Sequence, residues 1–290
     1  MFREDTMHSA VQKLLYSPSF RKIYHRASMD YVSESCNHLT KLQAQAFLAG
    51  LRQEKNFNHV HINHSLAKNL LKSIKGLRNV QTVRCDLETD VSVKIQDLRR
   101  IIQVNKNLQN FKLQFRSQKA LELGSQYVLA QHLKNINSLQ RLHLVITRCI
   151  TISEEFWNSL ASFSRIRELI FCLRHFPQPI DISPLKIGLS NMKALEEFHL
   201  NTVSPLEEGS FLEAITPLFT NENLRALTLE VVNVESRLTD NESKDLCAAV
   251  SKSLWHQLHT LSVNICNMKG VDFYKGFEKL PEVRRLTFST

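Results

Sequence analysis

Glycine and proline are scarce, with seven of each in 290 residues. An all-β sandwich or barrel would need more turn residues than that. The six cysteines, Cys36, Cys85, Cys149, Cys172, Cys247 and Cys266, are scattered, and none forms a CxxC pair. Zinc spacing and disulfide density are both missing, so the thiols read as reduced and packed like small hydrophobes. No apolar run approaches the roughly 18–20 residues of a membrane span, and no membrane partner is expected. The opening MFREDTMHSA lacks a basic n-region and an apolar h-region. Its Glu4 and Asp5 speak against a mitochondrial presequence. The expected location is cytoplasmic, with the nucleus as the alternative.

Catalytic motifs are missing too. There is no GxGxxG, GxxxxGK[ST], HExxH or GxSxG. The nearest approach to a metal cluster is His59, His61 and His64, with no acidic or cysteine ligand close in sequence. The pairs Glu154-Glu155, Glu196-Glu197 and Glu207-Glu208 resemble paired carboxylates. The first suits a helix N-terminus, and the others read as solvated charge. The expectation is a non-enzyme with no cofactor and no metal.

Charge is present, and it is uneven. Residues 1–60 hold 8 Lys+Arg against 5 Asp+Glu, residues 61–150 hold 15 against 5, and residues 151–290 hold 14 against 18. A basic first half is joined to a slightly acidic second half.

The strongest feature is a repeat. An apolar residue, another three later and a third two after that recur nine times. The sets are Phe57-Val60-Ile62, Val80-Val83-Cys85, Leu108-Phe111-Leu113, Leu139-Leu142-Leu144 and Ile166-Leu169-Phe171. They continue as Leu195-Phe198-Leu200, Leu224-Leu227-Leu229, Leu258-Leu261-Val263 and Val283-Leu286-Phe288. The last two members of each set alternate as a strand with one buried face does. Between them lie segments of helical spacing, such as Leu66-Leu70-Leu71-Ile74, Tyr127-Leu129-Leu133-Ile136 and Phe211-Ile215-Leu218-Phe219. Ser153 marks one helix start, and Asp240 and Ser243 mark another.

The runs LRALTLEVVN (Leu224 to Asn233), LHTLSVNICN (Leu258 to Asn267) and LQRLHLVITR (Leu139 to Arg148) resemble the leucine-rich-repeat consensus LxxLxLxxN/C. The long period resembles the ribonuclease-inhibitor-like and cysteine-containing subclasses, in divergent form. The resemblance covers residues 39–290 and implies a right-handed α/β solenoid, or horseshoe, of about nine units. Its parallel sheet would be concave and its helices convex. The consensus Asn or Cys is kept only as Cys266, so the side-chain ladder at that position must be replaced by other groups. Residues 1–38 are expected to form a helical N-terminal cap. The last strand is expected to end at Phe288 as an edge, protected by Arg284 and Arg285.

The resemblance also implies where binding would occur, on the open concave face. The alternating residues that face it include His59, His61 and Asn63 first, then Arg141/His143/Val145, Glu168/Ile170/Cys172 and Glu197/His199/Asn201. The central column reads His61, Arg84, Lys112, His143, Ile170, His199, Thr228, Ser262, Thr287. Its first four members are basic or titratable, which points to an acidic protein segment as partner. The candidate partner-binding residues are His59, His61, Arg84, Lys112, Arg141, His143, Glu168, Glu197 and His199. The alternatives are a phosphate- or RNA-binding scaffold on the same stripe, and an adaptor of the F-box type. A catalytic leucine-rich-repeat family activates a small GTPase through loop residues; Arg148 and Arg174 are the only counterparts here. Oligomeric state is not legible.

Overall fold

The computed structural model describes residues 59–62, 80–88, 102–103, 105–116, 130–147, 151–232, 240–265 and 285–289. The side chains of 59–62, 86–88, 115–116, 240 and 285–289 fall outside that description. The expected cap (1–38), any F-box-like segment, and the early helices around Leu66–Ile74 therefore lie outside the described residues.

The chain repeats one move, a strand that pairs with the strand of the preceding turn. The strands are β1 (His59–Ile62), β2 (Thr82–Glu88), β3 (Asn110–Arg116), β4 (Arg141–Thr147), β5 (Glu168–Arg174), β6 (Glu197–Thr202), β7 (Ala226–Val231), β8 (Thr260–Ile265) and β9 (Arg285–Ser289). They form one sheet in sequence order, and every pairing is parallel. Between the later strands lie α1 (Glu154–Leu160), α2 (Leu185–Asn191), α3 (Ser210–Ile215), a 3₁₀ turn (Thr216–Thr220) and α4 (Asp240–Ser251).

The repeat pattern maps onto this sheet without a slip. The central apolar positions pair as Val60, Val83, Phe111, Leu142, Leu169, Phe198, Leu227, Leu261 and Leu286 on successive strands. From Val80 to Val263, all three apolar positions of every turn are at most 2% exposed. A one-residue shift would turn each set to solvent, so the burial fixes the register. The helices close the other side of the same core. Trp157 of α1 lies against Phe171 of β5 with ring centroids 5.4 Å apart, and Phe219 lies against Trp255 at 5.3 Å.

A fourth inward position follows each set and escaped the three-residue pattern. It holds Ile146, Leu173, Thr202, Val231 and Ile265, each at most 2% exposed. Thr202 is tolerated there because its hydroxyl both donates to the Ser204 carbonyl and accepts from the Ser204 N–H, each at 3.1 Å.

The missing consensus side chain is replaced mainly by main chain. Val203 N–H donates to the Leu173 carbonyl at 3.1 Å, and Val232 N–H to the Thr202 carbonyl at 2.9 Å. Ser204 Oγ accepts from Phe176 N–H at 3.0 Å across 28 residues. On the entering side, the carbonyl just before each of β2 to β7 accepts two N–H groups from the next turn. Gln81 thus receives Gln109 and Asn110, and Glu196 receives Arg225 and Ala226. Gln109, Gln140, Arg167 and Arg225 repeat the arrangement. Buried Asn105 Oδ1 accepts from Val80 N–H at 3.0 Å, adding a side-chain tie between turns.

Two expectations about helices and one about a loop need correction. Ser153 does cap α1, its Oγ accepting from Phe156 N–H at 3.2 Å. Ser243, however, sits buried inside α4, which already starts at Asp240. The Phe211–Phe219 segment is not one helix. It changes to 3₁₀ at Thr216, where Pro217 lacks the N–H that would continue the α-helix. Arg174 is the last residue of β5 and not a loop residue.

Candidate functional site: the open face of the sheet

Side chains that alternate with the buried ones stand on the opposite face of the sheet. The register places His61, Arg84, Lys112, His143, Ile170, His199, Thr228, Ser262 and Thr287 on nine successive strands, each directly beside the next. Strands about 4.8 Å apart put Arg84, Lys112 and His143 within roughly 10 Å along the sheet. All three are half-buried. His59 and His61 belong to β1, and their side chains lie outside the described residues.

The first column holds His59, Thr82, Asn110, Arg141, Glu168, Glu197, Ala226, Thr260 and Arg285. Arg141 and Glu168 are neighbours there and pair with each other, Nε to Oε2, at 3.2 Å. Arg141 therefore brings less net positive charge to the face than the basic stripe assumed. Glu197 is exposed. Its neighbour Glu196, read from sequence as simple solvated charge, instead sits between two guanidinium groups. Arg167 lies 3.2 Å from one of its oxygens and Arg225 lies 3.6 Å from the other.

The third column departs from the expected exposure. Val145 and Cys172 are each only 6% exposed, although their places in the alternation face the open side. Both are short, and the register sets them between the longer Gln114 and Asn201. Beside them the polar groups form a cluster. Asn201 Nδ2 donates to the Glu230 carboxylate on β7, and His199 Nε2 lies 3.6 Å from the same carboxylate. Cys172, His199, Asn201 and Glu230 bear a superficial likeness to a thiol–imidazole constellation. The thiol is wrong for it. Burial pushes the Cys172 pKa up and Glu230 adds to the rise, while Arg174 and Lys112 oppose it. A nucleophilic cysteine needs the reverse, a depressed pKa.

Among the described side chains of the face, β2 and β3 contribute Arg84 and Lys112, while β5 to β7 contribute Glu168, Glu197 and Glu230; the register also sets the positions of Asp86 and Glu88 on the face of Arg84. Glu168 and Glu197 are among the residues expected from sequence to meet a partner, whereas Glu230 is not among those candidates.

Among the described residues, no group of three metal-binding side chains converges, and no helix is long and apolar enough to cross a membrane. No family model and no curated protein matches the chain. Among solved structures it is similar to a leucine-rich-repeat protein of Leptospira interrogans, with 12% identity and a TM-score of 0.26, over 83% of this chain and 75% of that one. A superposition that loose carries no argument. The case rests on the chain itself: a parallel sheet in sequence order, the LxxLxL positions buried turn after turn, and helices packed behind it make a leucine-rich-repeat-like fold.

Proposed function

We propose that the chain is a non-catalytic protein-interaction scaffold, and that the open face of its sheet receives an acidic segment of a partner protein. The observation that carries this reading is the column His61, Arg84, Lys112, His143 on four adjacent strands. Repeated parallel strands present such side chains on a rigid surface, where complementary charge steers association and selects the partner. Glu168, Glu197 and His199, farther along, would set the direction in which the partner lies. The nine-turn horseshoe, its handedness and its helical cap belong to the same proposal.

The test is affinity capture with the wild-type chain and with Arg84→Glu/Lys112→Glu, both after nuclease treatment. Arg141 is left alone because it is paired with Glu168. The reading expects one protein to be lost on charge reversal, and an acidic segment of that protein to bind the wild type in isolation. An unchanged set of captured proteins sinks it.

A further inference from the structure

A second charged surface lies off the open face. Call the side where each turn enters its strand the entry rim, and the opposite side the exit rim. Six consecutive entry turns, before β3 to β8, carry Lys106, Lys134, Arg165 with Arg167, Lys193, Arg225 and Lys252. The carboxylates among them are Glu196 and Glu222. Among the described residues the exit rim is the reverse, with Glu154, Glu155, Asp181, Glu207, Glu208 and Glu242 set against Arg174. There Lys186 is matched by Glu213 at 3.2 Å. Five of the seven entry cations lie beyond β4, in the half of the chain whose net charge is negative.

Helix dipoles explain the acidic rim, since Glu154 and Glu155 open α1 and Glu213 lies in the first turn of α3. They do not explain the basic one. None of the four helices has a basic residue in its last turn. The cations come after the helices have ended. Lys106, Lys134, Arg165, Lys193 and Lys252 make no ion pair among the described residues, and Arg167 and Arg225 share the single Glu196. The turns that bear them are stitched together. Ser138 Oγ donates to the carbonyls of Lys106 and Leu108, and Asn223 Nδ2 donates to the Lys193 carbonyl. Six turns at about 4.8 Å each make a row roughly 24 Å long.

We propose that this rim binds the phosphodiester backbone of a duplex nucleic acid, without reading its bases. Unpaired cations on successive turns suit a polymer of closely spaced phosphates, and backbone binding needs no exact match of charge to charge. Asn107, Asn137, Ser164 and Asn223 stand among them as further hydrogen-bond donors to phosphate oxygens. No Phe or Trp side chain is exposed among the described residues, which argues against the stacking platform that holds single strands. Leu254, 38% exposed, is the one large apolar side chain exposed on this rim, too little for the buried anchors of a protein interface.

The test is fluorescence anisotropy of the full chain with two labelled 24-base-pair duplexes of unrelated sequence. Both should bind within about twofold of each other, as backbone contacts carry no sequence information. With about five phosphates neutralised, affinity should fall on the order of 500-fold between 50 and 200 mM salt. Lys106→Glu/Arg165→Glu/Lys193→Glu should abolish binding, while Arg84→Glu/Lys112→Glu on the open face should weaken it far less and leave the salt slope unchanged. If the triple variant unfolds, the single Lys106→Ala, Arg165→Ala and Lys193→Ala variants should each reduce the salt slope by about one. No binding at 50 mM salt, an unaltered slope in the single variants, or equal loss from the open-face reversal overturns the proposal. So does displacement of duplex by polyglutamate at equal charge concentration, which would make the rim a site for acidic protein.

Discussion

Gly188 lies in the middle of α2, where alanine would ordinarily stabilise a helix by about 1 kcal/mol. Here the sign should reverse. A Cβ at this position would meet the Leu160 Cβ at 2.9 Å, with the Leu160 carbonyl carbon at 3.5 Å and the Ala161 nitrogen at 3.8 Å. Leu160 is the last residue of α1 and is fully buried, so the glycine marks the closest approach of two consecutive helices. The obstacle is the first side-chain atom and the backbone behind it, which cannot swing aside. Forcing extra volume into such a contact costs about 1–3 kcal/mol. Set against the helix gain, Gly188→Ala should destabilise the chain by up to about 2 kcal/mol. The assay is urea unfolding followed by tryptophan fluorescence, to which Trp157 of α1 and Trp255 both contribute. A second variant sharpens it. Leu160→Ala carries its own cost of about 2–5 kcal/mol but keeps the offending Cβ. Because the clashing atom is kept, the double variant should show no rescue, even though residues in contact commonly couple by about 0.5–3 kcal/mol. Stabilisation by Gly188→Ala, or rescue by Leu160→Ala, would refute the close backbone approach.

Phe171→Ala should cost about 3–5 kcal/mol, since the ring is fully buried against Trp157, and thermal unfolding by circular dichroism reads the loss. Asn105→Ala should cost about 1–3 kcal/mol, measured by urea titration, because Val80 N–H would lose its acceptor inside the core. Cys172 should label with iodoacetamide far more slowly than the partly exposed Cys247 at neutral pH, read by mass spectrometry. Because its folded pKa is raised, its stabilising contribution is full below the ordinary thiol value and is lost as pH climbs through the raised one. Cys172→Ala should weaken that alkaline decline in stability.

The strand positions and their register were legible because every turn repeats one local rule. An apolar residue wherever the strand faces inward needs no knowledge of any other turn. The column His61, Arg84, Lys112, His143 followed from the same rule, and the pairing places those residues side by side. What stayed hidden depends on contacts between turns. Val145 and Cys172 are buried because of the longer residues beside them, which their own strands do not encode. Thr202 is polar at an inward position and passes only because Ser204 satisfies it. The entry-rim cations fall at irregular offsets from the strands, since the spans between repeats vary from 23 to 34 residues. No fixed-spacing pattern could collect them.

The doubly accepting carbonyls before β2 to β7 have a consequence for how such a chain can change over time. Gln81, Gln109, Gln140, Arg167, Glu196 and Arg225 share no side-chain chemistry, yet each supplies the same main-chain oxygen to the next turn. The joint is written in atoms that every residue possesses. A turn could be duplicated, deleted or shuffled at this joint without a matching side chain having to travel with it. Selection would then act on the outward residues of each new turn almost independently of whether it stacks, leaving the surface free to diverge while the spine keeps its form.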